Sequence, residues 1–289
     1  MSLDGCWAKV RRAENHLNEI EDEIAIFREL HPVRITVDRD LQLNAYIFKA
    51  WEIATPDPDL GLIIGDCVHN ARGALDHLVY QLAEFNLRRP LTETEAKRTA
   101  FPIYDKPSEY QSRGERRVCD LRDKDRIRIE LLQPYHGWDE AIWGHFLMPG
   151  PLAPISNYLS TLSELDNTDK HRTILPVWFV AGFSVPPVWQ RELGITSTSL
   201  SGDPLSEGAE IGRWLFDGEP PIPPSGMDMN AFFPCQMSLW QPYFGTRVGR
   251  ILGNCLIAVR MVTEMFEPVF AHGLDPAPLK YWDGGPPWL

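Results

Sequence analysis

The chain has 289 residues, 44% hydrophobic and 24% charged, with a formal net charge of -12 and a pI near 5.1. This length and balance predict a folded protein with a sizeable core and argue against disorder. The acidic excess argues against broad, non-specific attachment to nucleic acid or anionic membrane, while leaving room for a local basic patch.

The five cysteines, Cys6, Cys67, Cys119, Cys235 and Cys255, are odd in number, widely spaced and without a C-x-x-C pair. That speaks against a disulfide framework or a thiolate zinc site and fits a reducing cytoplasm. Met1–Arg12 has no apolar stretch of signal-peptide length. The most apolar helical segment, Thr246–Phe270, is interrupted by Arg247, Arg250, Arg260 and Glu264. A membrane span needs ~20 apolar residues free of such charges, so this segment is expected to be a buried helix.

In chain order, the first element is an amphipathic helix over about residues 4–30, with Leu17, Ile20, Ile24 and Phe27 on one side and Glu19, Glu21, Asp22 and Glu23 on the other. A hairpin is expected next: Val33, Ile35 and Val37 alternate, Asp38–Asp40 turn, and Leu41, Leu43, Ala45 and Ile47 alternate again. Asp57 or Asp59 is placed to cap a long helix over about 58–87. Pro90–Pro107 reads as irregular. Arg113–Arg128 carries seven basic and four acidic residues, the composition of a solvated loop and helix or, alternatively, of a phosphate-backbone contact, with a helix over about Asp123–Leu132. The breaker-rich Gly144–Pro154 leads to a helix over about 155–170. Branched and aromatic residues then predict strands in a β-rich part, about 174–240, within Ile174–Val185, Ala209–Phe216 and Ala231–Leu239. A helix over about 246–270 and a tail rich in Pro, Gly and Trp complete the chain. The pattern predicts one α+β domain, 1–289: a mainly helical bundle core, an N-terminal β-hairpin insertion and a small C-terminal β-sheet.

Two polar clusters stand out. On the second long helix, Ile64, Cys67, Val68, Ala71, Leu75, Leu78 and Leu82 form the apolar side, and Asp66, His69, Arg72, Gly73, Asp76, His77 and Tyr80 the opposite one. A solvated face is usually rich in Lys and Glu, whereas this one has two His, a Gly, a Tyr and no Lys. Gly73 costs ~1 kcal/mol against Ala inside a helix, which is easiest to understand if something approaches the backbone there. Asp66 and His69 are three apart, and Arg72 and Asp76 four apart, so each pair can meet.

In the helix over 155–170, the stripe Ile155, Tyr158, Leu159, Leu162, Leu165 continues onto Asp166 and Asp169. These two carboxylates are expected to point inward and to need a partner. If the chain becomes extended at Lys170, Asp169 and His171 share a face. Asp166, Asp169, His171, Arg172 and Tyr80 are therefore expected to bind ligand in a site shared with the first cluster. Purely structural pairing, such as Asp166 or Asp169 with Arg172, is the competing reading.

The stretches Gly65–Leu82 (GDCVHNARGALDHLVYQL) and Glu164–Arg172 (ELDNTDKHR) resemble the two hallmarks of a family of bacterial proteins without a settled activity. The order of elements over about residues 10–180, including a Phe-Pro-Ile step at Phe101–Ile103, is similar to that family too. The resemblance implies one shared site and no particular reaction. Arg72 and His77 also resemble the Arg-x4-His motif of the HEPN superfamily (higher eukaryotes and prokaryotes nucleotide-binding), many of whose members are metal-independent ribonucleases. That resemblance implies proton transfer by His77, phosphate stabilisation by Arg72 and an active site often formed across a homodimer. With it, RNA or another phosphate-containing ligand is the expected partner, Asp66, His69 and Asp169 are expected to support the pair, and Asp76 joins the candidate catalytic residues. Gly73 departs from the family, which often has a polar residue after the Arg, and the motif lies on an early helix.

Two other readings remain open. Asp66, His69, Asp169 and His171 are suitable ligands for a divalent metal ion, which would make the chain a metal-dependent hydrolase, although no H-E-x-x-H or Cys-His set is present. Alternatively, the polar face is a subunit contact in a non-catalytic, homo-oligomeric regulatory protein. A P-loop, a dinucleotide-binding glycine motif and a nucleophile elbow are all absent.

Overall fold

A computed structural model describes residues 2–30, 33–136, 155–171, 174, 176–180, 191–223, 233, 235–239 and 246–276. Arg172, the 144–154 connection and the tail beyond 276 lie outside them. The fold is α+β, with long helices and two antiparallel sheets. Contacts divide the chain into two compact units, residues 1–19, 62–174 and 249–289 in the first, and residues 20–61 and 175–248 in the second.

The first unit is helical. It contains the N-terminal part of α1 (Asp4–Glu29), nearly all of α2 (Pro58–Leu87), then α3 (Glu93–Arg98), α4 (Asp123–Leu131), α5 (Ile155–His171), α6 (Val248–Met265) and α7 (Glu267–His272). Asp57 starts α2, its carboxylate accepting the Asp59 backbone N–H at 2.9 Å, with Pro58 as the first helical residue. The apolar stripe expected on α2 is buried throughout, joined by Ala74, Val79 and Ala83. A buried thiol and a partly exposed ion pair tie the helices together. The Cys67 thiol on α2 donates to the Ala13 carbonyl of α1 at 3.3 Å, and Arg260 on α6 pairs with Glu14 of α1 at 2.8 Å. Phe85 of α2 meets Phe270 of α7 at 5.5 Å between ring centroids.

Two helical boundaries differ from the sequence pattern. The 90–107 stretch contains α3, because Thr92 and Glu95 form a reciprocal capping box that stabilises a short helix. The C-terminal helix breaks at Phe266, where Pro268 in the first turn of α7 lacks the N–H needed to continue α6. Among the described residues no helix is long and apolar enough to cross a membrane.

The second unit holds the strands. β1 (Arg34–Asp40), β2 (Ala45–Trp51), β4 (Ile195–Leu200) and β5 (Glu210–Phe216) form an antiparallel sheet in the order β1-β2-β5-β4, and β3 (Pro176–Val180) pairs with β6 (Cys235–Leu239). One face of the larger sheet buries Tyr46, Phe48 and Trp214 together with Phe233. Phe48 lies 4.8 Å from Trp214 and 4.5 Å from Phe233 between ring centroids. The hairpin turn lies later than its alternation suggests. Asp38–Asp40 remain in β1, and the Asp40 carboxylate accepts the N–H groups of Gln42 and Leu43, both at 2.9 Å, closing a turn over residues 41–44. β4 was not expected, because its Ser/Thr-rich sequence Ile-Thr-Ser-Thr-Ser-Leu lacks the apolar signature of the other strands.

Candidate functional site

The polar side of α2 runs through the first unit and is flanked by three elements. At its N-terminal end α5 lies against it. Gly65 is buried, and a Cβ built there would stand 2.6 Å from Asp169 Cγ and 2.9 Å from Asp169 Oδ2. The Asp169 carboxylate therefore rests directly on the α2 backbone, in space only a glycine leaves free. One turn on, His69 Nδ1 lies 3.7 Å from Asp166 Oδ1. Gly65 and His69 of the first cluster thus meet Asp166 and Asp169 of the second.

Asp166 is only 4% exposed, while His69 is 62% exposed. Lys170, one turn along α5, holds Asp166 Oδ2. Asp166 Oδ1 is buried and accepts no hydrogen bond. Burial pushes the Asp169 carboxyl above its ordinary range, the charges of Asp166 and Asp66 add to that, and His69 and Lys170 oppose it. Asp66 is exposed.

The middle of the face is bound to the Phe101 segment. Arg72, 14% exposed, donates through Nη2 to the Phe101 carbonyl at 2.5 Å and pairs with Asp76 at 3.2 Å. Asp76 in turn accepts the Phe101 backbone N–H at 2.9 Å. An Arg and a carboxylate four residues apart thus hold both backbone groups of one residue, which fixes the Phe-Pro-Ile step against α2. Arg72 Nη1 is buried without a hydrogen bond.

The other flank faces α1. A Cβ on Gly5 would lie 3.3 Å from His77 Nδ1, and one on Gly73 would lie 3.1–3.2 Å from Cδ, Cε and Nζ of Lys9. Two glycines thus let a histidine from α2 and a lysine from α1 lie close across the crossing of the helices. Partial burial lowers the His77 pKa, Lys9 lowers it further, and Asp76 works against both. His77 is exposed, and neither it nor Lys9 makes a hydrogen bond or ion pair with another described residue.

Several expected neighbours are apart. Arg72 and His77 project about 140° apart around α2 and contact different elements. Helix α5 runs through His171, so Asp169 and His171 project about 160° apart rather than sharing the face an extended chain would give them. His171 is exposed. Tyr80 sits next to Glu84, and partial burial followed by Glu84 raises its hydroxyl pKa. Burial pushes the Cys67 thiol up to about 12, which disfavours it as a nucleophile. Among the described residues, no three His, Cys, Asp or Glu side chains are grouped so as to hold a metal ion. Lys9 was not expected in the site. Its one trace in the sequence is Gly73, the costly helix glycine over which it lies.

Comparison with protein-family models, curated proteins and solved structures finds no match to the chain.

Proposed function

We propose that the face of α2 next to α1 binds a phosphate-bearing ligand, with RNA as the leading substrate and HEPN-like, metal-independent cleavage as the reaction. One observation carries this reading: His77 packs over Gly5 and Lys9 over Gly73 where α1 and α2 cross, near enough for the Lys9 charge to act on the imidazole, and neither makes a hydrogen bond or ion pair with another described residue. A depressed pKa keeps His77 neutral at physiological pH, the form in which an imidazole accepts a proton from a ribose 2′-hydroxyl. The Lys9 ammonium is a compact charge suited to a phosphate oxygen. Arg72 would act as a positioning residue, because its guanidinium is turned to Phe101 and Asp76. A divalent-metal hydrolase is less well supported, since the described Asp and His side chains do not gather around one centre.

The test is affinity for a short single-stranded RNA, measured against salt concentration in EDTA. Lys9→Ala should weaken binding about fivefold to tenfold and lower the salt slope by about one, as for loss of one phosphate contact. Unchanged affinity and slope would remove Lys9 from the site and with it the main support for the reading.

A further inference from the structure

The Asp166 side of the α2 face is not used by the proposed phosphate site, and its chemistry is opposite in sign. Asp166 Oδ1 is buried and accepts no hydrogen bond, although Oδ2 is held by Lys170. A buried acceptor left without a donor is unfavourable, more so when it is charged. His69 Nδ1 stands 3.7 Å from Oδ1, beyond hydrogen-bonding distance, on a side chain that is 62% exposed. Asp169 rests on Gly65 close by, and Asp66 and Asp166 are near enough for their charges to act on it. Among the described residues three carboxylates thus share one lysine and one histidine, leaving an excess of negative charge.

That excess calls for a cation, and the spacing indicates which kind. A metal ion needs several donors converging on one point at about 2.0–2.6 Å, and no three described side chains are so grouped. A guanidinium or primary ammonium spreads its charge over several N–H donors and bridges carboxylates that do not converge.

We propose that Asp166 and Asp169, beside Gly65 and beneath His69, bind the guanidinium or ammonium group of a small cationic ligand. Asp166 Oδ1 accepts one N–H, the Asp169 carboxylate accepts another, and His69 turns aside to admit the group. The site lies about 12–18 Å along α2 from His77, which is eight residues from His69 and twelve from Gly65 at 1.5 Å each, so it stands or falls independently of the phosphate reading.

The test is calorimetric titration of the full chain with agmatine, which carries a guanidinium and an ammonium, and separately with manganese chloride. The wild-type protein should bind agmatine saturably. Asp166→Asn and Asp169→Asn, each checked for native circular dichroism, should weaken binding at least tenfold. His77→Ala should leave it unchanged, and His69→Ala should leave it unchanged or tighten it. No saturable binding at millimolar agmatine would overturn the proposal, as would equal affinity in wild type and both Asn variants. Saturable manganese binding that displaces agmatine and is lost in the same variants would make this a metal centre and overturn it equally.

Discussion

Gly65→Ala separates two opposing effects that the structure allows to be estimated. Alanine in a helix interior is worth about 1 kcal/mol over glycine, so in a free helix the change would stabilise α2. Here the added methyl would stand 2.6 Å from Asp169 Cγ, against an ordinary carbon–carbon contact of about 3.5–4.0 Å. The carboxyl group must retreat by about 1 Å, and overpacking of that kind costs about 1–3 kcal/mol. The net expectation is destabilisation of up to about 2 kcal/mol. At about 2–4 °C per kcal/mol for a unit of this size, Tm should fall by a few degrees. Thermal and urea denaturation followed by circular dichroism measure it. The double variant Gly65→Ala with Asp169→Gly isolates the contact, because removing the carboxyl should make the Gly65 substitution neutral or stabilising, a coupling of at least about 0.5 kcal/mol. If Gly65→Ala alone raises Tm, with no coupling to position 169, the carboxyl is not resting on Gly65 and the account of how α5 meets α2 fails.

Three further outcomes are expected. Gly73→Ala should be neutral or stabilising by up to about 1 kcal/mol, because the atoms it meets are the flexible end of Lys9, yet it should weaken RNA binding; equal losses of stability and binding would contradict this. Arg72→Ala should lower stability by about 1–3 kcal/mol in urea denaturation, through loss of the Phe101 and Asp76 contacts, and an unchanged midpoint would refute a positioning role. By proton-detected NMR, the His77 imidazole should titrate below 6.5. Since the unfolded chain then binds the proton more readily, His77 makes stability rise with pH between its folded and unfolded pKa values, a contribution His77→Gln should abolish; a midpoint above 6.5 would reverse the sign.

Much of the fold was legible because helices announce themselves by period. The α2 stripe from Ile64 to Leu82 is buried as the spacing implies, and the inward placement of Asp166 follows from the stripe before it. Local chemistry was harder to read where it overrides period. The Asp40 side chain moved the hairpin turn, and the Thr92–Glu95 box made a helix in a proline-flanked stretch. Strand β4 presents mostly Ser and Thr, and no apolar alternation marks it, although it pairs with the next strand, β5. For the site, the sequence showed that Gly73 needs an explanation but could not supply Lys9, which lies 64 positions earlier. Nor could the Arg72–His77 spacing reveal that a backbone carbonyl at Phe101 engages the arginine.

The most direct test of the central claim is single-turnover cleavage of a short RNA in EDTA by wild-type protein and by His77→Ala of native circular dichroism. Cleavage by the wild type, reduced about 100-fold to 10,000-fold in the variant, is the result this account predicts. Equal rates in the two proteins, or cleavage by neither, would contradict it.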